Sequence, residues 1–83
     1  MPDIITRYIY GIHAISNIIN SDEKRIKKIY FKKDASSKNL LLLHQKAIDS
    51  SLHTEEVSVD KLTLLSETSK HQGVVCELED ANL

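Results

Sequence analysis

Short stretches of β-branched and aromatic residues alternate with stretches of helical period along this chain, and that alternation restricts it to a layered α/β architecture. Arg7-Tyr8-Ile9-Tyr10 reads as a strand stopped by Gly11. From Ile12 to Asn20 the apolar residues fall at Ile12, Ile15, Ile18 and Ile19, a helical spacing that lays isoleucines on a sheet. Asn20-Ser21-Asp22 is expected to end that helix. A second strand follows through Ile26, Ile29, Tyr30 and Phe31, with Lys27 and Lys28 interleaved. Asp34, Ser36 or Ser37 is the expected cap of a helix whose apolar face carries Leu40, Leu41, Leu43, Ala47 and Ile48. The four leucines from Leu40 to Leu43 cannot share one stripe, so part of the run covers a second surface or an interface. Val57 and Val59 mark a third strand, and Asp60 is the expected N-cap of a brief helix with Leu62, Leu64 and Leu65. Gly73 precedes a last strand, Val74 to Leu78. The order is β-α-β-α-β-α-β in two or three layers. Residues 1–78 form one domain, and the polar residues 79–83 read as the start of a linker to a further domain.

At 83 residues the chain buries only about 60–65% of its unfolded surface, enough for one modest core but not for a large cofactor cleft. No apolar run approaches the roughly 20 residues of a membrane-spanning helix, and Met1-Pro2-Asp3 lacks the layout of a secretion signal. Cys76 has no partner for a disulfide, which suits a reducing compartment. The expectation is a cytoplasmic protein with no membrane association.

Net charge is −1, from 11 basic and 12 acidic side chains. That balance argues against strong non-specific nucleic-acid binding, which requires many neutralised phosphates. The distribution is uneven. Lys24, Arg25, Lys27, Lys28, Lys32 and Lys33 crowd one segment, whereas Glu55, Glu56, Asp60, Glu67, Glu77, Glu79 and Asp80 make the last third acidic. The basic segment reads either as a solvated edge or as a phosphate-facing patch.

Catalytic constellations are not found. His13, His44, His53 and His71 include no pair at i, i+4 spacing, and a structural zinc site needs four ligands, so no metal site is expected. Cys76, in a strand, reads as a buried thiol. With Gly11 and Gly73 the only glycines, no phosphate-cradling loop can form. Glu55-Glu56 and Glu77/Glu79 are expected to face solvent. No nucleophile, base and oxyanion donor assemble, so the chain itself is expected to carry no catalytic residue and no cofactor.

Two strings remain, Tyr10-Gly11-Ile12-His13-Ala14-Ile15 and His71-Gln72-Gly73-Val74-Val75. Gly11 suits a strand-to-helix turn, and the helix start beyond it is a natural anion site. His13 in the first turn reads either as a donor to phosphate or stacker on a base, or as a helix-start histidine bonded to a nearby loop. Gln72 offers donors and acceptors of the kind used on base edges and 2′-hydroxyls; its alternative is a polar turn closed by glycine.

The ordered pair of strings, with βα units between them, resembles the N-terminal substrate-recognition domain of the SpoU-type (SPOUT-class) RNA ribose 2′-O-methyltransferases, over Tyr8 to about Leu78. The branch resembled most closely modifies a guanosine of large-subunit (23S) ribosomal RNA. The resemblance implies an L30e/L7Ae-like fold with a mixed four-stranded sheet, its last strand antiparallel beside the first. Gly11, His13, His71, Gln72 and Gly73 would then share one RNA-contacting edge, bordered by Lys27, Lys28 and Lys32. It also implies that S-adenosylmethionine and the usual homodimer contacts belong to a separate catalytic domain. The rival readings are a stand-alone L7Ae/L30e-like RNA-binding protein and a protein-docking module using the Leu40–Leu43 surface.

Overall fold

The computed structural model describes residues 3–33 and 37–82, with side chains described for 6–33 and 37–79. Its elements run in the expected order: β1 (Asp3–Tyr10), α1 (Ile12–Asp22), a 3₁₀ turn (Glu23–Arg25), β2 (Ile26–Lys32), α2 (Lys38–Asp49), β3 (Thr54–Val57), α3 (Val59–Ser66) and β4 (Val74–Asn82). The sheet order is β1-β4-β2-β3. β2 and β3 are parallel, and β4 is antiparallel to both β1 and β2. The mixed four-stranded sheet with the last strand beside the first is therefore present.

Burial on both faces explains the unbroken apolar run of β4. Val74, Cys76 and Leu78 pack with Ile29 and Phe31 of β2 under Ile15 and Ile19 of α1 and Leu40, Leu43 and Ala47 of α2. On the opposite face Val75 joins Tyr30, Val57 and Leu62, the last from α3. The domain has three layers, two helices on one face and one on the other. Among the described residues no helix is long and apolar enough to cross a membrane.

The structure corrects several expected boundaries. Asn20-Ser21-Asp22 does not end α1, which runs to Asp22. The Ser21 hydroxyl donates to the Asn17 carbonyl one turn back at 2.8 Å, which keeps this weak helix former inside the helix. Val59 belongs to α3 and is exposed, so β3 stops at Val57. Ser58, not Asp60, caps α3: its hydroxyl accepts the Lys61 N–H at 3.2 Å. Asp60 lies in the first turn instead, where its charge meets the positive end of the helix. Ser37 stands at the start of α2 without a side-chain cap bond, while Asp34 and Ser36 lie outside the described residues. β4 continues past Leu78 to Asn82 because β1 begins at Asp3 and pairs with it throughout, Asp3 opposite Asn82.

Glu77, expected to face solvent, is buried at 8% exposure because β4 is interior. Tyr8 and Tyr30 each donate a phenolic hydrogen bond to its Oε1 at 3.2 Å. Lys27 lies 3.5 Å from Oε2, so the carboxylate is partnered on both oxygens. Burial first, then the Glu77 charge, pushes the Tyr30 phenol up to about 12.

The capping geometry gives a direct check. Ser58→Ala removes a side-chain acceptor at the α3 N-terminus and is expected to cost about 1 kcal/mol, against about 0.3–0.5 kcal/mol for Asp60→Ala, which loses only a dipole interaction. Urea unfolding of the two variants beside the parent chain measures the difference; the reverse ranking would return the cap to Asp60.

Candidate functional site

The two sequence strings meet where β1 hands over to α1. Gly11 has φ +93°, a conformation side chains rarely adopt, and a Cβ there would lie 3.2 Å from Gln72 Oε1. Its N–H donates to the Val74 carbonyl at 3.4 Å. Gly11 has no side chain with which to cap α1, and the missing acceptor comes from across the chain: Gln72 Oε1 accepts the Ile12 N–H at 2.9 Å. One of the helix's unpaired N–H groups is thereby satisfied by a residue of the β4 turn.

That turn is held from inside by His71, which is only 5% exposed. Its Nδ1 accepts the Gly73 N–H at 3.0 Å. The proton of the neutral ring therefore sits on Nε2, which lies 3.2 Å from the Thr63 hydroxyl of α3 and donates to it. Burial holds the His71 pKa below the usual histidine value. Gln72 is left-handed at φ +58° and Gly73 follows at φ +82°. A Cβ on Gly73 would lie 2.8 Å from Leu40 Cδ1 and 3.5 Å from Lys32 Cβ, so the glycine also gives α2 and β2 their close approach. Of the two histidines, His71 braces the turn and His13 is exposed on the first turn of α1.

His13 and Gln72 open onto a groove of about 340 Å³ between α1 and α2, whose lining also includes Ser16, Asn39, Leu42 and Lys46. Lys46 Nζ donates to Ser16 Oγ at 3.5 Å, bridging the two helices. Neither α1 nor α2 carries an acidic residue in its first turn, and among the described residues no carboxylate lines the groove. Lys46 therefore gives the described lining a positive charge although the whole chain is nearly neutral.

The lysines of β2 divide. Lys32 is at the motif edge: its N–H donates to the Gly73 carbonyl at 2.9 Å and its side chain is exposed. Lys27 and Lys28 lie at the other end of the strand, on the order of 13–17 Å away at about 3.3 Å per residue. A β-bulge between Ile26 and Lys28 interrupts the pairing there. Lys27 Nζ is 3.0 Å from Glu79 Oε1 and 3.5 Å from Glu77 Oε2, contacts that hold its pKa above the usual lysine value, Glu79 foremost. Lys28 lies 3.5 Å from Glu55 Oε1 and 5.4 Å from the centre of the Tyr30 ring. The structure thus brings Gly11, His13, Gln72, Gly73 and Lys32 together around a buried His71, and leaves Lys27 and Lys28 on a separate, carboxylate-paired surface.

Sequence reasoning missed Ser16, Asn39 and Lys46, and placed Leu42 only within the Leu40–Leu43 run as part of a second surface or an interface. The signal was available as spacing: Asn39, Leu42 and Lys46 follow i, i+3, i+7 on α2, and His13 and Ser16 follow i, i+3 on α1, which places each set on one helix face. Leu40 and Leu43 are core residues, whereas Leu41 and Leu42 are exposed, so the leucine run does divide between two surfaces. Cys76 is fully buried; burial and then the Glu77 charge push its thiol up to about 12, the opposite of an activated nucleophile.

Comparison with known proteins bears on this edge. The family model described as RNA 2′-O ribose methyltransferase substrate binding matches residues 8–83. A 23S rRNA (guanosine-2′-O-)-methyltransferase RlmB from Coxiella burnetii is 35% identical over 72 residues, 87% of this chain and 28% of that protein. The enzyme of the same description from Neisseria meningitidis serogroup B is 29% identical over 69 residues, 83% of this chain and 28% of that protein. The chain therefore spans 28% of the length of each of these relatives.

The brace at His71 makes a prediction about pH. Its folded pKa lies below the ordinary 6.5, so between those values the unfolded chain binds a proton that the folded chain refuses. Stability from this residue is full above about pH 7 and falls as pH drops through about 6.5 toward 5. Urea unfolding from about pH 8 to pH 5 is expected to show that loss, and His71→Gln to flatten it while lowering stability at neutral pH. A pH dependence unchanged by His71→Gln would remove the histidine from the account.

Proposed function

This chain belongs to the RNA 2′-O-ribose methyltransferase substrate-binding family, and we propose that it is the RNA-recognition part of a 23S rRNA guanosine ribose methyltransferase. In this reading it positions the RNA for a catalytic portion joined beyond residues 79–83. The observation that carries the reading is the Ile12–Gln72 hydrogen bond at 2.9 Å. It joins the two strings into one surface with exposed His13 and Lys32, and among the described residues no carboxylate lines the adjoining groove.

The roles follow from the side chains. Lys32 meets a phosphate, His13 donates to phosphate or stacks on a base, and the Gln72 carboxamide keeps its N–H₂ donors for a base edge or a 2′-hydroxyl while its oxygen caps α1. Gly11 and Gly73 allow the backbone approaches, and His71 holds Gln72 in its left-handed conformation. Lys27 and Lys28, already paired with carboxylates, stand outside the contact. Such a surface accelerates methyl transfer by alignment, lowering the entropic cost of bringing the ribose hydroxyl to the methyl donor.

S-adenosylmethionine supplies the methyl group in this family, and the residues here do not fit it. Both glycines are filled against side chains, Gln72 Oε1 at 3.2 Å and Leu40 Cδ1 at 2.8 Å from the respective Cβ positions, so neither leaves its backbone open to a cofactor. Among the described residues the groove also offers no carboxylate for a ribose diol. We assign the cofactor, the methyl-transfer chemistry and the homodimer contacts to the catalytic portion, and the working compartment to the cytoplasm.

Binding of a 23S rRNA stem-loop fragment to the full-length protein tests the reading. His13→Ala and Lys32→Ala are expected to weaken binding about three- to tenfold each, a loss of roughly 1 kcal/mol. Lys32→Ala is also expected to reduce the slope of log affinity against log salt by about 0.7–0.9. Lys27→Ala is expected to stay within about twofold. Unchanged affinity in both edge variants, with normal melting temperatures, would sink the proposal.

A further inference from the structure

The groove between α1 and α2 takes no part in closing the sheet, yet it is built as a ligand site. Its volume of about 340 Å³ falls within the range of small-molecule sites, roughly 300–1,000 Å³. Both walls are mixed: α1 offers half-buried Ile12 with Ser16, and α2 offers Leu42, 60% exposed, with Asn39 and Lys46. An exposed leucine of this kind gains roughly 25 cal/mol per Å² when an apolar or aromatic surface covers it. Beside these apolar groups the groove carries neutral side chains that both donate and accept hydrogen bonds, Asn39, Ser16 and Gln72, and a cation, Lys46. The Gln72 carboxamide is already oriented, because its oxygen holds the Ile12 N–H at 2.9 Å.

A flat apolar-faced ring with a mixed donor–acceptor edge and an attached anion matches these side chains. Resting on the RNA-recognition reading, we infer that the groove captures one unstacked nucleotide of the RNA. Its base lies against Ile12 and Leu42, its edge is read by Asn39 and Gln72, and its phosphate is held by Lys46. Single-stranded loops and bulges present such bases, and a splayed nucleotide supplies sequence information that phosphate contacts at Lys32 cannot. The groove is thus a selectivity element beside the edge, with its own residues on α2.

NMR titration of the ¹⁵N-labelled chain with 5′-GMP, 5′-UMP and inorganic phosphate tests this. Nucleoside monophosphates are expected to shift the amides of Ser16, Asn39, Leu42 and Lys46 with affinities on the order of 1 mM, and Leu42→Ser and Lys46→Ala each to weaken that binding about tenfold. Leu42 is exposed, so its replacement leaves the core intact. No shift in the groove, equal shifts from inorganic phosphate, or full binding by Leu42→Ser would each overturn the inference, the second leaving an anion site only. The two proposals separate through Lys32, which does not line the groove. If Lys32→Ala weakens RNA binding by the full-length protein while the groove takes no nucleotide, only the inference fails. If nucleotides bind the groove while His13→Ala and Lys32→Ala leave RNA affinity unchanged, the edge reading fails, and the inference stands only if Leu42→Ser weakens the RNA.

Discussion

β4 lies antiparallel between β1 and β2, and the α1 edge is assembled by that insertion. An interior strand must be apolar on both faces, and Val74, Val75 and Cys76 are each at 0% exposure. The pairing of Tyr10 with Val75 brings the end of the first strand to the start of the last. Gly11 then falls against Val74 and Gln72 falls over Ile12, which joins two strings that lie 60 residues apart. Without that insertion the start of α1 would have no acceptor for its first N–H and the β4 turn nothing to rest on.

The start of α1 is consequently a tertiary property, although α1 itself is readable locally. Most helices are capped by the residue just before them; this one has glycine there, because the turn requires φ +93°, and takes its acceptor from Gln72. Gln72 in turn adopts a left-handed conformation that few residues other than glycine and asparagine visit readily. Its strain is absorbed by His71, whose ring bonds both Gly73 and Thr63. A buried, neutral histidine and an exposed carboxamide make one device: the first fixes the turn, and the second presents its amide at the groove.

Element existence was legible in the chain because the hydrophobic period switches cleanly, as from Tyr8-Ile9-Tyr10 to Ile12, Ile15 and Ile19. Boundaries set by local competition were less so. Ser58 and Asp60 are both good caps, and only the end of the β3 pairing at Val57, opposite Lys32, decides for Ser58. The extension of β4 to Asn82 depends on β1 beginning at Asp3, a long-range pairing with no signature in the polar residues themselves. The site was half legible. Its two strings were visible, but the partition of roles between His13 and His71 rests on burial, and the groove residues of α2 were masked by a run of leucines that serves core and surface together.

Charge placement shows why composition misleads about the binding surface. Six basic residues crowd Lys24 to Lys33, yet a strand alternates and bulges its side chains apart. Lys27 and Lys28 are drawn to Glu77, Glu79 and Glu55, while Lys32 reaches the edge alone. Glu55, Glu77 and Glu79 of the acidic last third are taken up by these pairs, and in a chain of net charge −1 the groove keeps a cation and, among the described residues, no lining carboxylate. Exposed ion pairs of this type add little stability, typically 0–1 kcal/mol; what they do is offset positive charge at the far end of β2. In the proposed role that arrangement favours discrimination over grip, because few phosphates are neutralised and RNA affinity depends on a small number of directed contacts.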